Sequence, residues 1–218
     1  QTLMNSEEAA LGDRGWIGYR THFPENHLAL YVRADRADGA RTFDEFKQRI
    51  TPKVEKGCFG ENKATLEELV IHRLRLAGLR LAVAESCTGG AVAARLTTVP
   101  GSSEVFWGGV CSYQNAAKKE LLGVDPSSPE LAVSEACSRS LASNLKSRSR
   151  ADITGAITGY LGPTGGTAEN PIGTVYLCVL GSRRLERRLV LPPRGRVEYI
   201  CLRLRRVVLP ELDPGVRA

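Results

Sequence analysis

The run "LRLAVA" at residues 79–84 constrains this chain more than any other stretch. A strand without a polar face has to be covered on both sides, so the run asks for helices above and below a sheet. The flanking sequence supplies them. "ATLEELVIHRLRLAGL" (64–79) is amphipathic at helical spacing and stops at Gly78, a glycine of the kind that ends helices. After the run, "ESCTGG" (85–90) leads into a second helix that reaches about Thr97.

The alternation continues along the chain. "EVFWGGVCSY" (104–113) reads as a strand and "NAAKKELLGV" (115–124) as a short helix. "SPELAVSEACSRSLASNLKSR" (128–148) is predicted as one long helix, leading into the strand "DITGAIT" (152–158). "GYLGPTGGTAENPIG" (159–173) is too rich in glycine and proline for either regular structure. "TVYLCVLG" (174–181) and "RLERRLVLP" (184–192) form a hairpin, and "RVEYICLRLRRVVLPEL" (196–212) a closing helix. Helices alternating with apolar strands define an α/β fold, and the hairpin makes its sheet mixed: a layered α/β/α domain over residues 61–218.

Residues 1–60 form a smaller β-β-α unit. "GWIGYRTHFPENHLALYVRAD" (15–35) gives two strands around a Pro-Glu-Asn turn, with Leu28, Leu30 and Val32 on one face. The helix that follows places Phe43, Phe46 and Ile50 at helical spacing and is expected to break near Pro52. So small a unit is expected to dock on something else, and a start at Gln1 suggests a fragment of a longer protein.

With 218 residues, 42% hydrophobic and 25% charged, the composition is that of a globular protein. No stretch approaches the roughly 18 apolar residues of a membrane span, and no signal peptide opens the chain. Six cysteines without a CxxC pair read as reduced, mostly buried small hydrophobes of a cytoplasmic protein, with no metal site and no cofactor expected. The net charge of +6 suits an anionic partner. Arginines crowd positions 183–206, where Glu186 and Glu198 are the only acids. That crowding fits either a local phosphate or carboxylate site or a solvated helix face.

Ser86, between an apolar strand and a helix, occupies the place of a nucleophile, although a GxSxG spelling is absent. The turn supports three readings. It presents a nucleophile; or its bare amides at the helix start bind an anion, with Gly89 and Gly90 admitting a ligand; or it is a tight corner in which Ser86 or Thr88 caps the helix. A nucleophilic serine needs a base. His22 and His27 lie in the small unit and His72 lies on the helix before the strand, which argues against a Ser-His-Asp triad. Lysine is the alternative, provided burial strips its proton near neutrality. Lys118 qualifies if the two strand ends are neighbours; otherwise Lys118 and Lys119 are ordinary surface residues.

"AESCTGG", "SYQNAAK" and "TGYLGPTGGTAENPIGTVY", in that order and spacing, resemble the C-terminal domain of the CinA (competence/damage-inducible) family, the nicotinamide-nucleotide amidohydrolases, over roughly residues 62–210. Residues 1–60 resemble the small KH-like middle domain of that family, and "LMNSEEAAL" the end of the segment before it. The resemblance implies hydrolysis of the carboxamide of nicotinamide mononucleotide, without a metal and in a homo-oligomer, a dimer or larger. It implies Ser86 as nucleophile, Lys118 as base and Tyr113 beside it, polarising or relaying. Amides from Cys87 through Thr88 and Gly89 to Gly90 would hold the oxyanion, each donor worth about 3 kcal/mol. Asn115 would touch substrate. Thr158, Gly159, Gly162, Pro163, Gly165, Gly166 and Thr167 match the substrate loop, and arginines of the last helix would neutralise a phosphate. Glu85 would orient Lys118, and Cys87 is read as packing.

Several positions depart from the family pattern. Tyr160-Leu161 stand where a small residue is usual, Asn170 where a lysine is, and Leu141-Ala142-Ser143-Asn144 where Met-Ala-Glu-Gly is frequent. A pyridine-nucleotide-binding protein without turnover is therefore the second expectation. Nucleic-acid binding is not expected, because a KH module needs a GxxG loop between helices. Here "GDRG" (12–15) precedes a strand and "GCFG" (57–60) follows a helix.

Overall fold

The computed structural model describes residues 4–22, 25–54, 58, 64–127 and 131–192. The chain divides into two compact units, Gln1–Asn62 and Lys63–Ala218. The expected closing helix and most of the 183–206 arginines lie outside the described residues.

The first unit holds helix α1 (Asn5–Leu11), strands β1 (Gly15–His22) and β2 (Glu25–Val32), and helix α2 (Gly39–Val54). The strands pair antiparallel, with Ile17 opposite Leu30. A small core gathers Met4, Leu11, Ile17 and Phe46, with Leu30 and Ile50 against it. Three expectations are corrected. "LMNSEEAAL" contributes a helix whose Met4 and Leu11 help close this core, where only the end of a connecting segment was expected. Leu28 and Phe43 are exposed. Helix α2 runs through Pro52 to Val54, because a proline so near the last turn forfeits a single backbone bond. "GDRG" forms a single 3₁₀ turn at Gly12–Arg14 and enters β1.

The second unit is the layered α/β/α domain. Helix α3 (Leu66–Ala77) starts at a capping box between Thr65 and Glu68 and ends at Gly78 in the left-handed conformation. Strand β3 (Leu81–Glu85) is buried at every residue. Helix α4 (Ala91–Thr97), strand β4 (Phe106–Cys111), helices α5 (Asn115–Leu122) and α6 (Glu135–Ser149), and strands β5 (Ile153–Gly159), β6 (Thr174–Leu180) and β7 (Arg184–Val190) follow. The sheet order is β4-β3-β5-β6-β7. β3 runs parallel to β4 and β5, and β6 and β7 are antiparallel additions.

Strand alternation sorts the core by size. Leu81, Val83, Ile153, Ile157 and Leu177 point to the layer of α3 and α4. Ala82, Ala84, Ala156 and Cys178 point to α6, whose Leu141, Ala142 and Leu145 are fully buried against them. Small residues on that face let the longer helix approach the sheet closely. Helix α6 begins at Glu135, later than the sequence suggests, because the Ser134 hydroxyl accepts the Cys137 N–H at 3.1 Å and sets the first turn there. Among the described residues no helix is long and apolar enough to cross a membrane.

Candidate active site

Three parallel strands bring their C-terminal ends to one edge of the sheet, where ligands of open α/β folds gather. Ser86 follows β3, Ser112 and Tyr113 follow β4, and Thr158 and Gly159 close β5. A cavity of about 290 Å³ opens there. Of the residues expected from sequence it is lined by Ser86, Cys87, Tyr113, Asn115 and Lys118, and by Thr158, Gly159 and Gly162 across from them. Tyr160 and Leu161, two of the departures from the family pattern, form part of its wall.

Lys118 belongs to the interior. Only 2% of it is exposed, and its Nζ donates to the carbonyls of Ser112 at 3.1 Å and Tyr113 at 3.3 Å. Among the described residues no carboxylate pairs with it, and burial pulls its pKa below the ordinary lysine value, opposed by the nearby thiols of Cys137, Cys87 and Cys111. Lys119, one residue on, is the surface lysine, paired with Asp125 at 2.6 Å. Helix α5 is held in place by Asn144, whose Nδ2 donates to the Leu122 carbonyl at 2.7 Å. Tyr113 meets Lys118 through its carbonyl. Its side chain reaches the cavity mouth and is 71% exposed, so a phenol beside the amine is not what fixes Nζ.

The helix start after β3 departs from two readings of the sequence, the serine or threonine cap and the anion site. Neither Ser86 nor Thr88 caps α4. The buried carboxylate of Glu85 does, accepting the N–H groups of Val92 at 3.1 Å and Ala93 at 2.8 Å. This carboxylate occupies the positive end of α4, so the helix start is not an anion site, and Glu85 caps instead of orienting Lys118. Gly89 and Gly90 both sit at positive φ, 61° and 96°, and a Cβ on either would meet nothing within 4 Å. The backbone conformation demands them. Gly89 N–H is spent on the Ser86 carbonyl at 3.1 Å. Among the described residues nothing accepts from the amides of Cys87, Thr88 and Gly90; Cys87 lines the cavity, whereas Thr88, Gly89 and Gly90 do not. Thr88 Oγ1 and Ser112 Oγ are buried without a hydrogen-bond partner among the described residues.

Pro163, Gly165, Gly166 and Thr167 do not line the cavity. Thr167 is committed to its own loop: its N–H donates to the Asn170 carbonyl and its Oγ1 accepts the Asn170 N–H. Gly166, at φ 89°, lies so close to Ile172 that a Cβ would sit 2.9 Å from its nitrogen. Arg184 and Arg188 on β7 bind Glu186 and the Glu169 carbonyl, away from the cavity lining. Ala132, Val133 and Thr164 complete the cavity and had no signal in the sequence beyond their neighbours, since two are plain apolar residues. Thr158 anchors this wall, donating to the Ala132 carbonyl at 2.6 Å.

Burial sorts the thiols. It pushes Cys87 and Cys178 up to about 12, whereas Cys58 and Cys111 are exposed, against the expectation of mostly buried cysteines. Cys111 is exposed because it ends the edge strand β4. Iodoacetamide near neutral pH is therefore expected to label Cys111 well before Cys87, read by peptide mass spectrometry. A rise from 9.0 to about 12 cuts the reactive thiolate roughly a thousandfold. Equal labelling would contradict the burial.

Fold and site together define a three-layer α/β domain that buries a serine and a lysine, the latter without a carboxylate partner among the described residues, in one cavity at the strand ends. Residues 63–203 match the family profile of the CinA C-terminal domain. A CinA-like protein of Anaeromyxobacter dehalogenans strain 2CP-1 is 41% identical over 201 residues, covering 88% of this chain and 49% of that one. One from Synechocystis is 42% identical over 178 residues, covering 81% and 41%. The crystal structure of the competence/damage inducible protein CihA from Agrobacterium tumefaciens superposes with a TM-score of 0.62 at 34% identity, covering 71% of this chain and 99% of that one. The competence-damaged protein (CinA) superfamily protein of Enterobacter cloacae gives 0.63 at 30%, covering 72% and 98%. This chain belongs to the CinA family, and it spans about half the length of the curated relatives it matches.

Proposed function

We propose that the second unit hydrolyses the carboxamide of nicotinamide mononucleotide to nicotinic acid mononucleotide and ammonia. The observation that carries this reading is Lys118, buried, with no carboxylate partner among the described residues, in the cavity that Ser86 also lines. A neutral amine has two N–H bonds and one lone pair. The Ser112 and Tyr113 carbonyls take both N–H bonds, which leaves the lone pair to accept a proton.

Ser86 Oγ attacks the amide carbon as its proton passes to Lys118 Nζ. The tetrahedral oxyanion rests on amides among Cys87, Thr88 and Gly90. Lys118 then returns the proton to the leaving nitrogen, and ammonia departs from an ester on Ser86. Water gives a proton to the same amine and attacks the ester; Lys118 returns that proton to Ser86 Oγ as the Oγ–C bond breaks, and the acid released ionises to the carboxylate. The protein acts in the cytoplasm as a homodimer, with no metal or cofactor in the reaction.

The test is ammonia release from nicotinamide mononucleotide by the purified protein, matched mole for mole by nicotinic acid mononucleotide. No release ends the reading. Tyr160 and Leu161 in the wall favour a second one, a pyridine-nucleotide-binding protein that does not turn over. Calorimetric binding without ammonia would support it.

A further inference from the structure

We propose that Asn170 is a positioning residue that fixes the width of the cavity by clasping its two movable walls together; the inference rests on the proposed hydrolysis. One wall is the segment holding Ala132 and Val133, and the other is the glycine-rich loop carrying Tyr160, Leu161, Gly162 and Thr164. Neither wall is a strand or a helix, so no backbone ladder sets the gap between them.

Asn170 spends every polar group on this task. Its N–H donates to Thr167 Oγ1 at 3.0 Å, and its carbonyl accepts the Thr167 N–H at 2.9 Å, closing the loop on itself. Its side-chain Nδ2 crosses to the opposite wall and donates to the Val133 carbonyl at 3.4 Å. Its Oδ1 accepts from the Tyr176 hydroxyl at 2.8 Å, which fixes which end of the amide faces Val133. Arg188 backs the arrangement from β7, donating to the Tyr176 hydroxyl at 3.3 Å and to the Glu169 carbonyl at 2.8 Å. On the far side, Thr158 ties the Ala132 carbonyl to β5. The wall is thus pinned to the sheet at residue 132 and to the loop at residue 133.

A lysine here has no acceptor for the Tyr176 hydroxyl, and a carboxylate has no donor for Val133. An asparagine meets both demands. Asn170 touches none of the reacting groups, so its loss widens the site without removing chemistry.

The experiment is Asn170→Ala, with Tyr176→Phe as the milder variant that keeps Asn170 and removes the donor to its Oδ1 together with the acceptor of Arg188 Nε. Turnover of nicotinamide mononucleotide is expected to show KM raised about tenfold and kcat changed less than about threefold, the split of lost binding rather than lost chemistry. Hydrogen exchange, which needs no activity, is expected to quicken at amides 131–134 and 160–173 while β3 and α6 stay protected. Unchanged KM together with unchanged exchange in both variants overturns the proposal. So does a fall in kcat alone. Should the wild type release no ammonia, the hydrolase reading fails, and local exchange still decides the clasp. If Asn170→Ala loses protection throughout, Tyr176→Phe carries the decision by the same readouts.

Discussion

Lys118→Ala and Ser86→Ala are each expected to lower kcat for the nicotinamide nucleotide by at least about a thousandfold, and the double variant by little more than either single one. The near-equality is the informative part. A base whose only task is to move the serine's proton has nothing left to do once the serine is gone, so the two losses do not add. Lys118→Arg is expected to be as poor as the alanine variant, since a guanidinium keeps its proton. Full activity in Lys118→Ala would remove the lysine from the mechanism and leave Ser86 in need of another base.

The same lysine sets a pH dependence. Its folded pKa lies below the 10.5 of an exposed lysine because burial disfavours the ammonium. The proposed mechanism needs the neutral amine, so kcat is expected to rise with pH through that lowered value. Stability follows by linkage. Between the lowered value and 10.5 the unfolded chain holds a proton that the folded chain does not, so stability climbs with pH across that window and levels off above it. Lys118→Met should lack both the activity and this part of the climb. Denaturant unfolding of the two proteins over a pH series reads the difference; parallel curves would mean the amine stays charged when buried.

The sequence carried the layers and the catalytic candidates but not the corner that joins them. Gly78, the apolar residues Leu81 to Ala84 and the alternation around Ile153 are local patterns with one cheap solution each, so helix, strand and order follow from them. Lys118 was the candidate base from its place after the strand, but its burial was not readable, because depth depends on which strand ends are neighbours. The helix cap was misassigned for a related reason. Ser86 and Thr88 are the residue types that cap helices, yet the turn through Gly89 and Gly90 carries the chain so that Glu85 reaches the amides of Val92 and Ala93. Val133 lines the cavity and its carbonyl accepts from Asn170, a contact 37 residues apart that no spacing rule reveals.

Glu85→Ala is expected to destabilise the second unit by about 3 kcal/mol, the cost of leaving one buried and one half-buried amide without their acceptor. Helix α4 has seven residues, too few to hold itself together by its own bonds, so its first turn depends on this carboxylate. The carboxylate in turn is fixed by its place at the end of β3, where its own carbonyl accepts the Ser112 N–H at 2.8 Å. Glu85→Gln keeps one acceptor and sets an NH₂ against the second amide, so it should fall between wild type and alanine. Denaturant midpoints order the three proteins. Kinetics separate this role from the one the sequence suggested. A residue that oriented Lys118 through its charge would, when removed, move the midpoint of the pH–rate profile and leave stability alone. Glu85 makes no contact with the amine, so the midpoint should hold while stability falls and kcat drops as the turn bearing Ser86 loosens. A shifted midpoint at unchanged stability would reverse the assignment and make Glu85 the partner of Lys118 after all.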